Sequence, residues 1–374
     1  MKYWGEDMEF NILVLDGDGI GPEVVAQGVR VLSTTGKRLG HRFNYTYHAI
    51  GGAGIDTHGN PLRNETIAEA KKSNAILVGA VGGPKWDNPK ATVRPEQAIL
   101  GLRKALDIFA NLRPVKVFPS LKSASAVKPG NIAKADMVVV RESTGGLYFG
   151  EPKKITETPS GRTAVDSMVY SEEEIRRILK VGFEIAKGRR KKLTSVDKAN
   201  VLATSRLWRD IATEMGRREY PDIALDHILV DTASILLIKN PRQFDVIVTE
   251  NTFGDILTDE AGVLTASLGM LPSATLSGSN TDKHNSSLGL YEPIHGSAPD
   301  IAGTGKANPI GTILSAALLC DYSLGLPKAA KLINRAVETV IREGHRTSDI
   351  ARPGQTSIST EEMGDLIAQK VDSL

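Results

Sequence analysis

The 374-residue chain contains a single cysteine, Cys320, so no disulfide can form within it. The apolar run that holds it, ILSAALLC, marks it as a small buried hydrophobe. Aromatic residues make up only 5% of the chain, and no basic stripe interleaves with them, so nucleic-acid binding is unsupported. Charge of one sign is also missing: 46 basic residues meet 44 acidic ones, for a formal net charge of +2. No apolar run is long enough to span a bilayer, and MKYWGEDMEF lacks the apolar stretch of a signal peptide. A cytoplasmic protein is therefore expected, and the sequons at Asn44, Asn64 and Asn285 carry no weight. The histidines show no HxxxH spacing, which disfavours zinc, and no GxxxxGK[ST] occurs, which excludes a P-loop. Internal repeats and low-complexity linkers are absent too.

What the chain does have is alternation. Short Val/Ile/Leu runs (NILVL, AILVGAV, DMVVV, HILV, DVIVT) alternate with helical patterns such as EVVAQGVRVLSTTG. This predicts an α/β protein with a largely parallel sheet. The length suggests about two or three domains. Residues 151–171 break the pattern: they are polar, with Pro and Gly near the centre and Thr/Val-rich flanks, and read as an exposed two-stranded arm. A lone ribbon is unstable, so the arm calls for a partner. KGRRKK, after the helical pattern EEEIRRILKVGFEIA, reads as a solvated helix end.

The most informative residues are Asp255 and Asp259 in FGDILTDEAG. Spacing of i to i+4 stacks the two carboxylates on one helix face, where hard oxygen ligands suit Mg²⁺ or Mn²⁺. The alternative is a helix N-terminus with Asp255 as its cap. Arg141, Asp231 and Asn251 each follow a predicted strand, where open α/β sheets place their ligand crevice. Arg103 and Arg113 come in close succession in LRKALDIFANLRP. Guanidinium is the preferred bidentate partner of a carboxylate, so three arginines beside three aspartates fit an anionic substrate bridged by a metal. GDGIGPE reads as a tight turn rather than a dinucleotide fingerprint, because its third glycine is misplaced and Pro22 begins the helix. HGSAPDIAGTGKANP is a second glycine-rich loop whose length points to ligand binding.

GDGIGPE, LRKALDIFANLRP, VVVRESTGGLYFG, DKANVL, FGDILTDEAG and HGSAPDIAG occur in this order along nearly the whole chain. In this the sequence resembles the β-decarboxylating dehydrogenases of the isocitrate/isopropylmalate dehydrogenase family. The resemblance implies a two-domain α/β fold with a large mixed, largely parallel sheet that is not a Rossmann fold, and a protruding β-arm. It implies a discontinuous first domain, 1–108 with 266–374, carrying the cofactor loops. An inserted second domain, 109–265, would hold the dimer interface and the arm. The expected reaction is NAD-dependent oxidative decarboxylation of 3-isopropylmalate, with homoisocitrate, isocitrate or tartrate as alternative substrates. A non-catalytic dicarboxylate-binding dimer is the alternative of another class. The retained proton-transfer groups speak against it.

Residue by residue, the resemblance implies that Arg103, Arg113 and Arg141 hold substrate carboxylates. Asp231, Asp255 and Asp259 would bind Mg²⁺ or Mn²⁺, with Asp231 also near substrate, and Lys198 and Tyr148 would transfer protons. Glu96, Ile99, Leu100 and Val201 are assigned to the substrate's surroundings. Ile99 and Leu100 offer apolar surface to an isopropyl group, although hydrophobic spacing also suits them to core packing. Ile99 stands where a leucine is more usual. NAD would lie against Gly82, Gly83, Pro84, Lys85, Trp86 and Asp87, near Glu96. Its other wall would be His295, Gly296, Ser297, Ala298, Pro299, Asp300, Ile301, Ala302, Gly303 and Asn308. Each active site would be shared across a homodimer, Lys198 and Asp231 facing the other residues of the partner chain.

Overall fold

The computed structural model describes residues 8–88, 90–278 and 288–374; the sequon at Asn285 and the first seven residues lie outside them. The described residues form twelve strands: β1 (Glu9–Gly17), β2 (Arg42–Tyr47), β3 (Ala75–Ala80), β4 (Ala110–Lys116), β5 (Asp136–Glu142), β6 (Lys154–Thr158), β7 (Gly161–Val165), β8 (Lys192–Asp197), β9 (Ala224–Leu229), β10 (Val246–Thr249), β11 (Pro272–Leu276) and β12 (Gly289–Pro293). Ten of them make one sheet in the order β2-β1-β3-β12-β11-β4-β5-β10-β8-β9. Pairing is parallel except at β12–β11, β11–β4 and β4–β5. The expected mixed, largely parallel sheet is therefore present.

Strands from 1–108 and 266–374 fill one half of the sheet, and strands from 109–265 fill the other. The halves meet where Ala274, Thr275 and Leu276 of β11 face Leu112, Asn111 and Ala110 of β4. Beyond these pairs stand Pro114 and Pro272, which have no N–H to give, so the ladder stops there. All six residues of β3 are buried, as a strand covered on both faces requires. The helix Ile310–Tyr322 is apolar nearly all round and buried against the helices Gly21–Leu39 and Pro327–Arg342. Among the described residues no helix is long and apolar enough to cross a membrane.

Helix ends follow local chemistry. Pro22 opens Gly21–Leu39, and Gly40 closes it in the left-handed conformation (φ 75°). Ser171 and Glu174 cap the helix Glu172–Lys187 reciprocally. The basic cluster after that helix is not simply solvated. Arg189 bonds Asp136 (2.7 Å) and the buried Asp245 (2.8 Å), so it ties the helix end to β5 and to the residue that opens β10. A partner distant in sequence, invisible to a reading of local charge, decides its role.

The arm is a β6–β7 ribbon with every residue exposed, Ile155 at 73%. Its root is tied down by Gly146 N–H to Val169 O (3.2 Å) and Ser167 Oγ to Pro152 O (2.9 Å).

Candidate functional site

Strand register brings the arginines together. Asn111 of β4 faces Arg141 of β5, and Arg113 lies two residues along β4 on the same face. The helix Asn251–Gly262 follows β10, the neighbour of β5, and presents Asp255 and Asp259 to these guanidinium groups. Glu250 is the cap of that helix, accepting from Thr252 N–H (2.9 Å) and Phe253 N–H (2.7 Å). The capping role considered for Asp255 is thus filled by another acid, which leaves Asp255 free to face the arginines.

Asp255 bonds Arg141 Nη1, Arg113 Nη2 (3.3 Å) and the Tyr148 hydroxyl (3.0 Å). Burial works to raise its carboxyl, but Arg141, Arg113 and Tyr148 outweigh burial and hold it below the usual carboxylate range. Asp259, 3.9 Å from Arg113 and more open to solvent, is raised by burial and by the charge of Asp255. Burial, reinforced by the neighbouring Arg113, pulls Arg141 down to about 9. The Tyr148 phenol, protonated at neutral pH in any case, is raised further by burial and by Asp255. Arg103 sits in the last turn of the helix Gln97–Ala105, bonded to Glu292 on β12 (2.9 Å), and its buried Nε has no partner.

A second cluster forms separately. Asp197 at the end of β8 is level with Leu229 at the end of β9, so the next residues meet: Lys198 Nζ lies 2.6 Å from Asp231 Oδ1. That bond holds the Asp231 carboxyl below its ordinary range. Val201, 62% exposed, stands one turn from Lys198. Among the described residues no three acids, histidines or cysteines come close enough to hold a metal ion. Asp255 and Asp259 share a face, while Asp231 sits apart with Lys198.

The loop after β3 turns at Gly82 (φ 105°) and Gly83 (φ 156°), in backbone conformations that favour glycine. Asp18, buried in the GDGIGPE turn, accepts from Gly82 N–H (2.8 Å), Gly52 N–H (2.8 Å) and Ala53 N–H (2.7 Å). Sequence reasoning passed over Asp18 as part of a tight turn. The sequence signal for it is an acid flanked by glycines, Gly17 and Gly19, both of which prove to be left-handed. Lys85 and Trp86 both bond Asp56 (2.6 and 3.3 Å), and Glu96 Oε1 lies beside Gly82. Pro84 and Asp87 begin and follow the short turn that holds them.

The other loop packs on GDGIGPE through Ile20 N–H to Ser297 O (2.8 Å). Gly296, Pro299, Asp300 and Gly303 are exposed; Ser297 is buried, and Ala298, Ile301 and Ala302 pack against Ile20, Val24 and Ala307. The His295 ring is lowered by burial, and its Nε2 is buried without a partner. Two of the assigned residues are buried. Asn308 is 5% exposed and spends its amide on Ile310 N–H and Asp349. Ile99 is 8% exposed and belongs to a buried cluster with Ile50 and Leu102, while the next residue, Leu100, is half-buried.

Residues 11–367 match the family model described as isocitrate/isopropylmalate dehydrogenase. The chain is 54% identical over 363 residues to the 3-isopropylmalate dehydrogenase of Carboxydothermus hydrogenoformans, covering 97% of this chain and 95% of that one. It is 54% identical over 364 residues to that of Anaeromyxobacter dehalogenans, covering 97% and 100%. Among solved structures, isocitrate dehydrogenase from Methylococcus capsulatus is similar with a TM-score of 0.84 at 33% identity, over 97% of this chain and 99% of that one. A β-decarboxylating dehydrogenase from Thermococcus kodakarensis is similar with a TM-score of 0.75 at 35% identity, over 97% and 96%.

Proposed function

Because the chain belongs to the isocitrate/isopropylmalate dehydrogenase family, we propose that it oxidatively decarboxylates 3-isopropylmalate to 4-methyl-2-oxopentanoate and CO₂, a step of leucine biosynthesis. The observation that carries this reading is the convergence of Arg113 and Arg141 on Asp255, with Tyr148 on the same carboxylate. Binding a dicarboxylate needs the arginines; it does not need a phenol held protonated beside them.

The donor set fits a divalent ion. Asp255 and Asp259 are hard oxygen donors one helical turn apart, and Asp259 is 61% exposed and open to a further ligand. NAD fits the two glycine-bearing loops, where positive-φ glycines admit close approach and His295 Nε2 is unpartnered. When bound, the ion supplies a Lewis acid and NAD the hydride acceptor. The chain's own residues do the rest. Arg103, Arg113 and Arg141 orient the carboxylates, Lys198 takes the hydroxyl proton, and Tyr148 returns a proton to carbon as general acid. Leu100 lines the isopropyl group from one side and Val201 from the other.

The working unit in this reading is a homodimer in which Lys198, Asp231 and Val201 of one chain complete the site of its partner. Supporting it are exposed apolar side chains on two adjoining helices: Ile235 (54%) on Val230–Lys239 and Ile256 (62%) on Asn251–Gly262. The fully exposed arm adds an unpaired ribbon edge. Residues 1–108 with 266–374 form one domain and 109–265 the other, the substrate lying between them.

NADH absorbance, followed on mixing enzyme, NAD, Mg²⁺ and each of 3-isopropylmalate, homoisocitrate, isocitrate and tartrate, tests the assignment. The expected order puts 3-isopropylmalate first in kcat/KM; a higher value with any other substrate replaces it. The cofactor is expected to be NAD rather than NADP. Asp300 is an exposed acid suited to ribose hydroxyls, and it repels a 2′-phosphate; Ile301 beside it brings no positive charge. A kcat/KM with NADP equal to that with NAD refutes this.

A further inference from the structure

Arg141 carries five N–H donors, and three of them are already committed. Nη1 meets Asp255, while Nε (3.0 Å) and Nη2 (2.8 Å) both donate to one oxygen, Oδ1 of Asn251. One N–H remains on each terminal nitrogen and is available to a ligand carboxylate. The direction in which those N–H groups point is set by Asn251, which is fully buried and accepts from Arg141 twice.

The Asn251 amide has no freedom to turn. Its Nδ2 donates to Gly145 O (2.9 Å), which fixes Oδ1 towards Arg141. Its backbone N–H is the first of the helix Asn251–Gly262; Glu250 accepts from the next two N–H groups, and the Tyr170 hydroxyl accepts this one (3.0 Å). Tyr170 stands at the foot of the arm, between two buried carboxylates, Glu142 (3.3 Å) and Glu250 (3.4 Å). Glu142 in turn holds Gly145 N–H (2.7 Å), so the loop that fixes the amide is itself anchored in the same ring of bonds. Every side of Asn251 is accounted for by a group in another segment.

We propose that Asn251 is a positioning residue for substrate binding, aiming the uncommitted N–H groups of Arg141, and that Tyr170 holds Asn251 in place from the root of the arm. The proposal rests on Arg141 binding a substrate carboxylate. Two arrangements with equal packing separate here: a buried asparagine that only satisfies a helix end would affect folding, whereas one that aims a guanidinium affects one ligand.

Calorimetric titration of the Mg²⁺-loaded protein with 3-isopropylmalate, and separately with NAD, reads the difference. Asn251→Ala is expected to weaken 3-isopropylmalate binding about tenfold or more, the scale of lost charge-assisted hydrogen bonds. NAD affinity should stay within about twofold. Tyr170→Phe, a milder change that serves if Asn251→Ala folds poorly, is expected to weaken 3-isopropylmalate alone by a few-fold. In an Arg141→Lys background Asn251→Ala should add little, since residues acting through one another are not additive. An Arg141→Lys chain that binds 3-isopropylmalate undiminished overturns the premise and the proposal together. If Arg141→Lys weakens binding but Asn251→Ala or Tyr170→Phe does not, or weakens NAD equally, or stays additive with Arg141→Lys, only the positioning role falls.

Discussion

A Lys198→Ala chain and an Asp255→Asn chain, each inactive alone, are expected to regain activity when unfolded together and refolded as a mixture. In a heterodimer with shared sites, one site inherits both lesions and the other neither. Random pairing makes half the dimers mixed, so about a quarter of the sites should be intact. The residues divide suitably: Lys198 stands bonded to Asp231, and Asp255 stands with Arg113, Arg141 and Tyr148. If one chain supplied both lesioned residues to a site, every site would keep a lesion and the mixture would remain inactive. Activity no higher than that of the parents, with heterodimers verified by mass spectrometry, refutes the shared site.

Asp255→Asn alone is expected to lower kcat by about 10²- to 10³-fold, the range for removing one preorganised electrostatic partner. The loss should fall on kcat more than on KM, because interactions that strengthen as charge develops count most in the transition state. The substitution also strips the two buried arginines of their shared carboxylate. Burial already holds Arg141 down at about 9, and losing Asp255 removes a charge that favours its cationic form. Enzyme stripped with EDTA should be inactive and recover on adding Mg²⁺ or Mn²⁺. Turnover undiminished by EDTA contradicts the metal assignment, and an Asp255→Asn enzyme with wild-type kcat contradicts the role of the carboxylate.

Strands buried on both faces were legible in the sequence. NILVL, AILVGAV, DMVVV and DVIVT lie in β1, β3, β5 and β10, because burial on two sides demands unbroken apolar runs. β2 (RFNYTY) and β8 (KLTSVD) were not, since an edge position and polar side chains leave no such run. The i, i+4 aspartate pair was legible, as helical spacing is local. The meeting of Arg113 with Arg141 depends on the β4–β5 register, and that of Lys198 with Asp231 on β8–β9; pairing between strands cannot be read from either strand alone. Ile99 and Asn308 show the converse limit. Their residue types suit a ligand surface, and only the packing around them reveals how little of each side chain is open to solvent.

The seam at β11 and β4 constrains how the two halves of the sheet can move. No flexible tether joins them there; they are one ladder, held by Ala274, Thr275 and Leu276 against three residues of β4. A hinge in a linker could swing freely, but a continuous sheet can only twist or bend, its backbone hydrogen bonds stretching in concert. Any relative motion of the two halves therefore behaves like flexing a plate, with small angles and a restoring force. Pro114 and Pro272, by ending the ladder early, set where that plate is thinnest.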